Sequence, residues 1–285
     1  MKKILVIFFV IVGIYLLFNF VSNQSWNLFG GDKVETKVTN RVDSIELQAF
    51  GAKTTVIPDN TDSVVADLDG KGKVTVDKDG DTIKVSYKRG WFEWMPFFNT
   101  ATLKVYIPED YHKDMLVKLG SGKLKMSGNS KNDPMKLNDL TVDMGSGSVE
   151  LENLAVNEFS HNGSSGNLTI DSLQSKKSDI DISSGNVQIN HFTGELNGEL
   201  SSGQMNIQMD KLVDSVDLHA SSGSIKLDLP NDADFTLEGK ASSGNISYDF
   251  PLTVKNQDKH KFQGVHGAGT HDIDITISSG NVKIY

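Results

Sequence analysis

A short Ser-Gly phrase recurs eight times between Leu119 and Tyr285, and it constrains the fold more than any other feature of the chain. Each copy is followed by alternating polar and apolar residues, and successive copies are 18 to 36 residues apart. The eight glycines are Gly122, Gly147, Gly166, Gly185, Gly203, Gly223, Gly244 and Gly280. Repeats of about 20 residues are typical of solenoids, and a period of two is typical of β-strands. The sequence therefore predicts an all-β protein, a single-stack β-solenoid (β-helix) with rungs of about 20 residues.

One copy, residues 179–189, shows how a rung would form. Apolar and polar residues alternate on both sides of Ser183-Ser184-Gly185, so two short strands would meet at a corner, each with one apolar face. Glycine suits the corner because it adopts positive φ without a steric clash, and serine hydroxyls can satisfy turn backbone groups. A second corner is predicted by apolar residues that recur every 19 or 20 positions, namely Leu154, Leu173, Phe192 and Leu212. Stacked rungs would then share one continuous core.

Composition narrows the classes of function. The chain has 37 acidic and 28 basic residues, a formal net charge of −9, which disfavours a nucleic-acid partner. Its only arginines are Arg41 and Arg89, which argues against a dedicated phosphate or carboxylate clamp. The absence of cysteine excludes disulfides, thiolate catalysis and cysteine-based zinc sites. We expect no cofactor.

The N-terminus predicts a membrane anchor. Two lysines precede an apolar run from Ile4 to Val21, and a helix of that length would cover about 27 Å, near the hydrocarbon thickness of a bilayer. The lysines favour a cytoplasmic N-terminus. A cleaved signal peptide is the alternative, but residues 22–31 contain no Ala-x-Ala-like site. We therefore expect residues 1–21 to be a cytoplasmic tip and single transmembrane helix in the cell membrane, residues 22–40 a linker, and the rest extracellular.

Residues 41–118 read as strands without the Ser-Gly corner, ahead of the repeat region 119–285. Residues 74–87 predict a hairpin with an Asp-Gly turn, residues 103–107 another strand, and residues 45–57 a degenerate early rung. An aromatic run at 91–98 interrupts this pattern. It contains the candidate membrane or partner contacts Trp91, Phe92, Trp94, Met95, Phe97 and Phe98. Three interpretations stay open: a cap on the solenoid, a loop at the membrane interface, or a partner-binding patch.

The interval between Gly244 and Gly280 is close to two turns, and we expect a loop plus an unmarked rung there. It contains three histidines, at positions 260, 266 and 271, whose spacing matches no standard metal motif. Two aspartate pairs, Asp179/Asp181 and Asp272/Asp274, would each project from one strand face. A solvated surface is a simpler interpretation of these pairs than calcium binding, because the sequence lacks the calcium-roll repeat. We predict no metal site.

These phrases carry a family resemblance. An N-terminal anchor followed by strands and by repeats such as SSGNVQI and SSGNVKI resembles the "putative adhesin" domain family of unknown function, and the layout is similar to LiaG-like envelope proteins. The resemblance covers about residues 45–285. It implies a β-helical extracytoplasmic domain, a role near the cell envelope or its stress response, and no catalytic residues.

Two functions remain from the sequence. The first is a non-enzymatic, membrane-anchored module that binds an envelope protein or a cell-wall polymer, with a structural or adhesin-like role. The alternative is an enzyme that acts on cell-wall polysaccharide, which would need a defined pair of carboxylates in a groove. The repeated serines favour the first function. A serine nucleophile needs a base and an orienting group, and no serine lies in a Gly-x-Ser-x-Gly sequence.

Overall fold

The computed structural model describes residues 32–89, 101–258 and 260–285, and in these ranges the chain is all β. The strands, all in one continuous sheet, are β1 (Asp32–Lys37), β2 (Ser44–Ala49), β3 (Lys53–Asp59), β4 (Ser63–Asp69), β5 (Lys73–Asp79), β6 (Thr82–Lys88), β7 (Thr102–Pro108), β8 (Asp114–Leu119), β9 (Lys123–Ser127), β10 (Met135–Met144), β11 (Ser148–Lys211), β12 (Val216–Asp228), β13 (Phe235–Ala241), β14 (Asn245–Tyr248), β15 (Thr253–Gln257), β16 (Lys261–His266) and β17 (His271–Ile284). The described residues contain no helix long and apolar enough to cross a membrane. The predicted anchor at 4–21 and the aromatic run at 91–98 lie outside them. Strand β1 lies within the segment 22–40 for which the sequence predicts a linker.

Each rung of the repeat region is solenoid-like, with parallel strands that pair in register with the next rung. The residues that lead into a Ser-Gly corner form what we call the pre-corner face, and those that follow it form the post-corner face. A second corner comes next. There Asn153, Ser172 and His191 have φ of 54°, 67° and 56°, and each directly precedes one of the apolar residues that predict this corner. The second corner is therefore confirmed for these three rungs.

The alternation after each glycine matches burial. Of the sixteen apolar positions two and four residues after the glycines, fourteen are buried. Val187 and Ile189, for example, are fully buried, whereas the side chain of Asn186 between the glycine and Val187 is exposed. The two exceptions, Ile246 and Tyr248, are half-buried and belong to the rung at the end of the stack. The predicted strand register is confirmed.

The order of the rungs at the C-terminus differs from their order in the chain. Strand β17 lies between β12 on one side and β13 with β14 on the other, parallel to all three. Gly280 is therefore in register with Gly223, and Asn281 with Asn245. The prediction of an unmarked rung between Gly244 and Gly280 is wrong. Strands β15 and β16 form an antiparallel hairpin, and β16 pairs antiparallel with β13. Because β17 carries a complete Ser-Gly phrase, it stacks on another complete phrase as well as a sequential rung would.

A similar insertion occurs at the N-terminal end. The rung made by β2 and β3 lies between β6 and β7 on one side and β8 and β9 on the other. This confirms the early rung predicted at residues 45–57. The predicted hairpin is β5–β6, whose turn contains Gly80 at φ 63°. In the sheet, β4 pairs antiparallel with β7, and β1 pairs antiparallel with β4. Thr36 Oγ1 donates a hydrogen bond to the Val76 carbonyl, 2.7 Å away, and so links β1 to β5 across this end.

The opposite end is covered by an aromatic cluster. The Phe235 ring meets the Phe250 ring edge-on at 5.3 Å, and the Tyr248 ring lies 5.3 Å from the Phe262 ring. Phe250 and Leu252, between β14 and β15, and Phe262, in β16, pack against the core. Since an uncovered end rung would expose apolar surface and unpaired backbone groups, this cluster acts as a cap.

Candidate functional site

The Ser-Gly corners stack into one edge of the solenoid, which we call the Ser-Gly edge. A Cβ added at Gly185 would lie 1.9 Å from the carbonyl oxygen of Gly166 in the next rung, and the φ of Gly185 is 147°. Any other residue there would clash with the neighbouring backbone and strain its own. Six more of the eight predicted corner glycines have positive φ: Gly122, Gly147, Gly166, Gly203, Gly223 and Gly280. Gly244, in the rung at the end of the stack, does not have a positive φ, and a Cβ there would lie 2.8 Å from the Gly280 carbonyl oxygen.

The chemistry of this edge is uniform. All eight serines that precede the glycines are exposed, and neither serine nor glycine carries a charge. Nine stacked corners, from Ala52 to Gly244, span about 38 Å at ~4.8 Å per rung. Beside the edge, Asn186 Nδ2 donates a hydrogen bond to Asn167 Oδ1 of the neighbouring rung at 3.1 Å. The edge therefore presents a straight row of hydroxyls with side-chain amides next to it.

The pre-corner face is acidic. In one outward column the sheet register places Asp217 beside Asp274 and Asp274 beside Glu238. Burial, followed by the charges of Glu238 and Asp217, raises the pKa of the Asp274 carboxyl. In the same column Asn197 Nδ2 donates to Asp179 Oδ1 at 2.9 Å. The two aspartate pairs predicted to share a strand face thus contribute to a long solvated surface. Within residues 32–89, 101–258 and 260–285, no three His, Asp or Glu side chains are grouped as they would be around a metal ion.

Toward the N-terminal end the same face is neutralised by lysines. Glu46 accepts a hydrogen bond from Lys118 Nζ at 2.8 Å, and Lys84 Nζ lies 3.4 Å from its other oxygen. The hydrogen bonds from Lys118 and Gln48 lower the pKa of Glu46 to about 2. The sequence shows the same gradient, since residues 32–127 contain 15 acidic and 15 basic residues and residues 128–285 contain 22 and 11. The solenoid is therefore electrically polarised along its axis.

A shallow cavity of about 200 Å³ opens near the N-terminal end, between the β1–β2 connection and the loop after β7. Its floor is fixed by Tyr111, whose hydroxyl donates to the Asp114 carbonyl at 2.6 Å, and by Lys113, whose Nζ donates to the Val42 carbonyl at 2.6 Å. Its two acids, Asp62 and Asp110, are exposed. Among the described residues the buried polar side chains are Thr54, His161, Ser172 and Ser178, so none is a carboxylic acid. Neither acid at this cavity is thus part of the buried carboxylate pair that would favour the polysaccharide-cleaving alternative.

The three C-terminal histidines are not brought together as ligands. His260 Nδ1 is 3.0 Å from the Ala241 carbonyl, and His266 Nδ1 is 3.1 Å from the Pro251 carbonyl. The His266 ring also packs on Phe250, at 5.1 Å between ring centroids, as part of the aromatic cap. His271 begins β17, in register with Phe235.

The candidate contacts Trp91, Phe92, Trp94, Met95, Phe97 and Phe98 lie outside the described residues, but the residues that flank them are placed. Lys53 N donates to the Ala101 carbonyl at 2.9 Å, and a Cβ at Gly51 would lie 3.7 Å from Arg89 Nη1. The described residues on either side of the run, Arg89 and Ala101, thus lie near the Ser-Gly edge. Phe50 at the same edge is 50% exposed and lies over Gly120. Sequence reasoning missed Phe50, although it lies two residues before Ala52, the corner residue of the early rung.

A second residue that sequence reasoning missed is His161, in the core. It is fully buried in register with Val142, and a Cβ on Gly163 would lie 3.1 Å from its Nε2. Neither ring nitrogen has a hydrogen-bond partner. Burial therefore lowers the pKa of His161 to about 4, and the Val142 backbone and Asp143 offset only part of this effect. Its position in the alternating pattern, between the buried positions of Phe159 and Gly163, was the signal.

Comparison with known proteins agrees with this architecture. The model of the Toastrack DUF4097 family matches residues 42–285. A "putative adhesin" from Bacteroides fragilis NCTC 9343 is 13% identical, with a TM-score of 0.53, over 90% of this chain and 97% of that one. A "putative lipid binding protein" from Parabacteroides distasonis ATCC 8503 is 12% identical, with a TM-score of 0.46, over 90% and 97%. No curated protein matches the chain. The similarity to the Bacteroides fragilis structure supports the fold.

Proposed function

The chain belongs to the Toastrack DUF4097 family, and we propose that it is a non-enzymatic binding module of the cell envelope. In this proposal residues 4–21 anchor it in the membrane, and the β domain is displayed outside the cell with an adhesin-like role toward an envelope protein or cell-wall polymer. The observation that carries the proposal is the Ser-Gly edge, an uncharged row of exposed hydroxyls that continues over eight Ser-Gly corners. Repeated rows of identical groups suit an extended partner better than a small substrate.

The charge gradient along the β domain supports the proposal that this domain is displayed outside the cell. Residues 128–285 have a net charge of −11, whereas residues 32–127 are neutral. Bacterial membrane surfaces rich in anionic lipid repel negative charge over about one Debye length. A solenoid anchored at its N-terminal end would therefore keep its acidic half away from the lipid. Its Ser-Gly edge would then remain accessible along its length.

The anchoring part of the proposal is tested by protease treatment of intact spheroplasts. We expect the β domain to be digested and a fragment that contains residues 4–21 to remain with the membrane. A soluble mature protein with a new N-terminus between residues 22 and 31 would refute the anchor and indicate a cleaved signal peptide.

The binding part is tested at the aromatic run. In a chain that begins at residue 22, the double variant Trp91→Ser, Trp94→Ser and the single variant Phe50→Ser are compared with Val213→Ser, a matched control because Val213 is 47% exposed. Melting temperature and co-sedimentation with vesicles that contain anionic lipid are measured for each. If the run binds membrane, the double variant loses sedimentation and keeps its melting temperature. If it is a cap, the melting temperature falls. An unchanged result in both assays would contradict both interpretations and leave a protein partner for this run.

A further inference from the structure

Strand β17 fills a slot between strands that both precede it in the chain. It is in register with β12 over eleven residue pairs from Val216–Ile273 to Leu227–Ile284 and pairs on its other side with β13 and β14. Its inward side chains Ile273, Ile275, Ile277, Val282 and Ile284 are all buried. Removal of β17 would therefore open two strand edges at once and uncover part of the core. Such paired open edges bind another strand strongly, because each unpaired backbone group regains a partner.

The sequence that fills the slot is not unique to β17. Residues 277–284 read ISSGNVKI, and residues 182–189 in the middle of the stack read ISSGNVQI. The two phrases differ only at Lys283 and Gln188, which both point outward. A rung of this sequence fits wherever a Ser-Gly corner is open on both sides. The slot therefore recognises the repeated phrase and not which chain supplies it.

The connection to β17 is a compact hinge. Residues 267–270 join β16 to β17, and Gly267 and Gly269 have φ of 70° and 78°. The Asp234 carboxylate accepts hydrogen bonds from the backbone N–H groups of Ala268, Gly269 and Thr270. This clamp holds the hinge folded back. Release of Asp234 would let the hinge extend and carry β17 away from its own slot.

We propose that the slot between β12 and β13–β14 is a strand-binding site that also accepts the C-terminal strand of a second copy of this chain. Reciprocal exchange of β17 would form a dimer. Every contact of β17 in the closed monomer would be made again between the two copies, so the exchange costs little beyond association and hinge strain. The inference does not depend on where the chain is displayed. With the N-terminal anchor proposed above, exchange would join copies through the ends far from the membrane.

Disulfide trapping between two differently tagged chains tests the exchange. The protein has no cysteine, so introduced thiols are unambiguous. Ser222 and Ser279 are exposed partners in register across the β12–β17 pair, and neighbouring strand residues lie within disulfide distance. Full-length chains that carry only S222C are mixed with full-length chains that carry only S279C. They are unfolded in urea, refolded together in detergent and oxidised. The matched control replaces S222C with S165C, on a rung that β17 does not touch.

Exchange predicts several-fold more S222C–S279C heterodimer than S165C–S279C heterodimer, with a yield that rises with protein concentration. D234A, which removes the clamp, should raise that yield further. The double variant S222C/S279C in a single chain should form its disulfide within the monomer, which verifies that the variants fold in the observed register. If the single chain closes its disulfide but the mixed pair yields no more heterodimer than the control, the slot accepts only its own strand and the proposal is wrong.

Discussion

Acid should destabilise this solenoid through one core residue, His161. In the folded chain the imidazole is stacked between rungs, in register with Val142, and neither of its nitrogens has a partner. Burial disfavours the imidazolium and lowers its pKa to about 4, against 6.5 for the unperturbed side chain. The unfolded chain therefore takes up the proton first. Stability is at its full value above pH 6.5 and is lost as the pH falls from 6.5 toward 4.

The magnitude follows from the two pKa values. Each pKa unit corresponds to about 1.4 kcal/mol, so the full loss below pH 4 is about 3 kcal/mol. At pH 4.5 most of this, about 2.5 kcal/mol, is already lost. For a domain whose total free energy of unfolding is in the usual range of about 5–15 kcal/mol, this is a large share. The effect should open the stack at its middle rungs, where His161 lies.

The assay is the free energy of unfolding in urea, measured from pH 7.5 to 4.5, for the wild type and for His161→Ile. Isoleucine matches Ile180, which occupies the same core column in the next rung and is buried. Carboxylates titrate in both proteins, so the difference between the two curves isolates the histidine. We expect that difference to shift in favour of the variant by about 2.5 kcal/mol between pH 7.5 and 4.5. Ile180→Val, which changes packing in the same column without a titratable group, should give a difference that does not depend on pH. A pH-independent difference for His161→Ile would refute the reasoning.

Three further predictions concern the rungs themselves. Ile189→Ala should cost about 2–5 kcal/mol in urea unfolding and Gln188→Ala within about 0.5 kcal/mol, because only the first is buried; equal costs would contradict the strand register. Gly185→Ala should lower the melting temperature sharply, since its Cβ would lie 1.9 Å from a backbone oxygen, whereas Gly80→Ala, with nothing within 4 Å of its Cβ, should cost only about 1–2 kcal/mol. The stability that Glu46 contributes is present above pH 4.5 and is lost as the pH falls toward its folded pKa of about 2. Glu46→Gln should therefore flatten the pH dependence of the free energy of unfolding in that range, and an unchanged slope would mean that Lys118 does not stabilise the Glu46 carboxylate.

The rung itself was predictable from the sequence because its physics is local. Alternation decides which side chains face inward, and at the Ser-Gly corners that have positive φ a neighbouring backbone carbonyl leaves room only for glycine. These constraints recur from copy to copy of the Ser-Gly phrase, so a departure from the pattern in one copy does not hide it. The same logic recovered the second corner and the early rung at residues 45–57. At Gly244 the phrase is present, but the backbone does not have the positive φ of the other seven corner glycines.

The candidate surfaces were less predictable, since they arise between rungs. The acidic column of Asp217, Asp274 and Glu238 joins residues from three separate strands, and no spacing in the sequence reveals that β17 stands in the middle. His161 was hidden for the opposite reason. A single polar residue at an inward position reads as a minor irregularity, although its burial makes the free energy of unfolding depend on pH between 6.5 and 4. The aromatic run at 91–98 stays a prediction.

The order of the rungs shows what a repeated phrase leaves undecided. Gly223 can stack on Gly244 or on Gly280, because both follow the same Ser-Ser dipeptide and precede alternating strands. The choice is decided at the end of the stack, where one rung must be left without a neighbour. The rung with Ile246 and Tyr248 is followed directly by the segment that carries Phe250 and Phe262, and these rings cover it. Placing β17 inside and the covered rung outside therefore buries the apolar side chains of β17, and the rings leave Ile246 and Tyr248 half-buried.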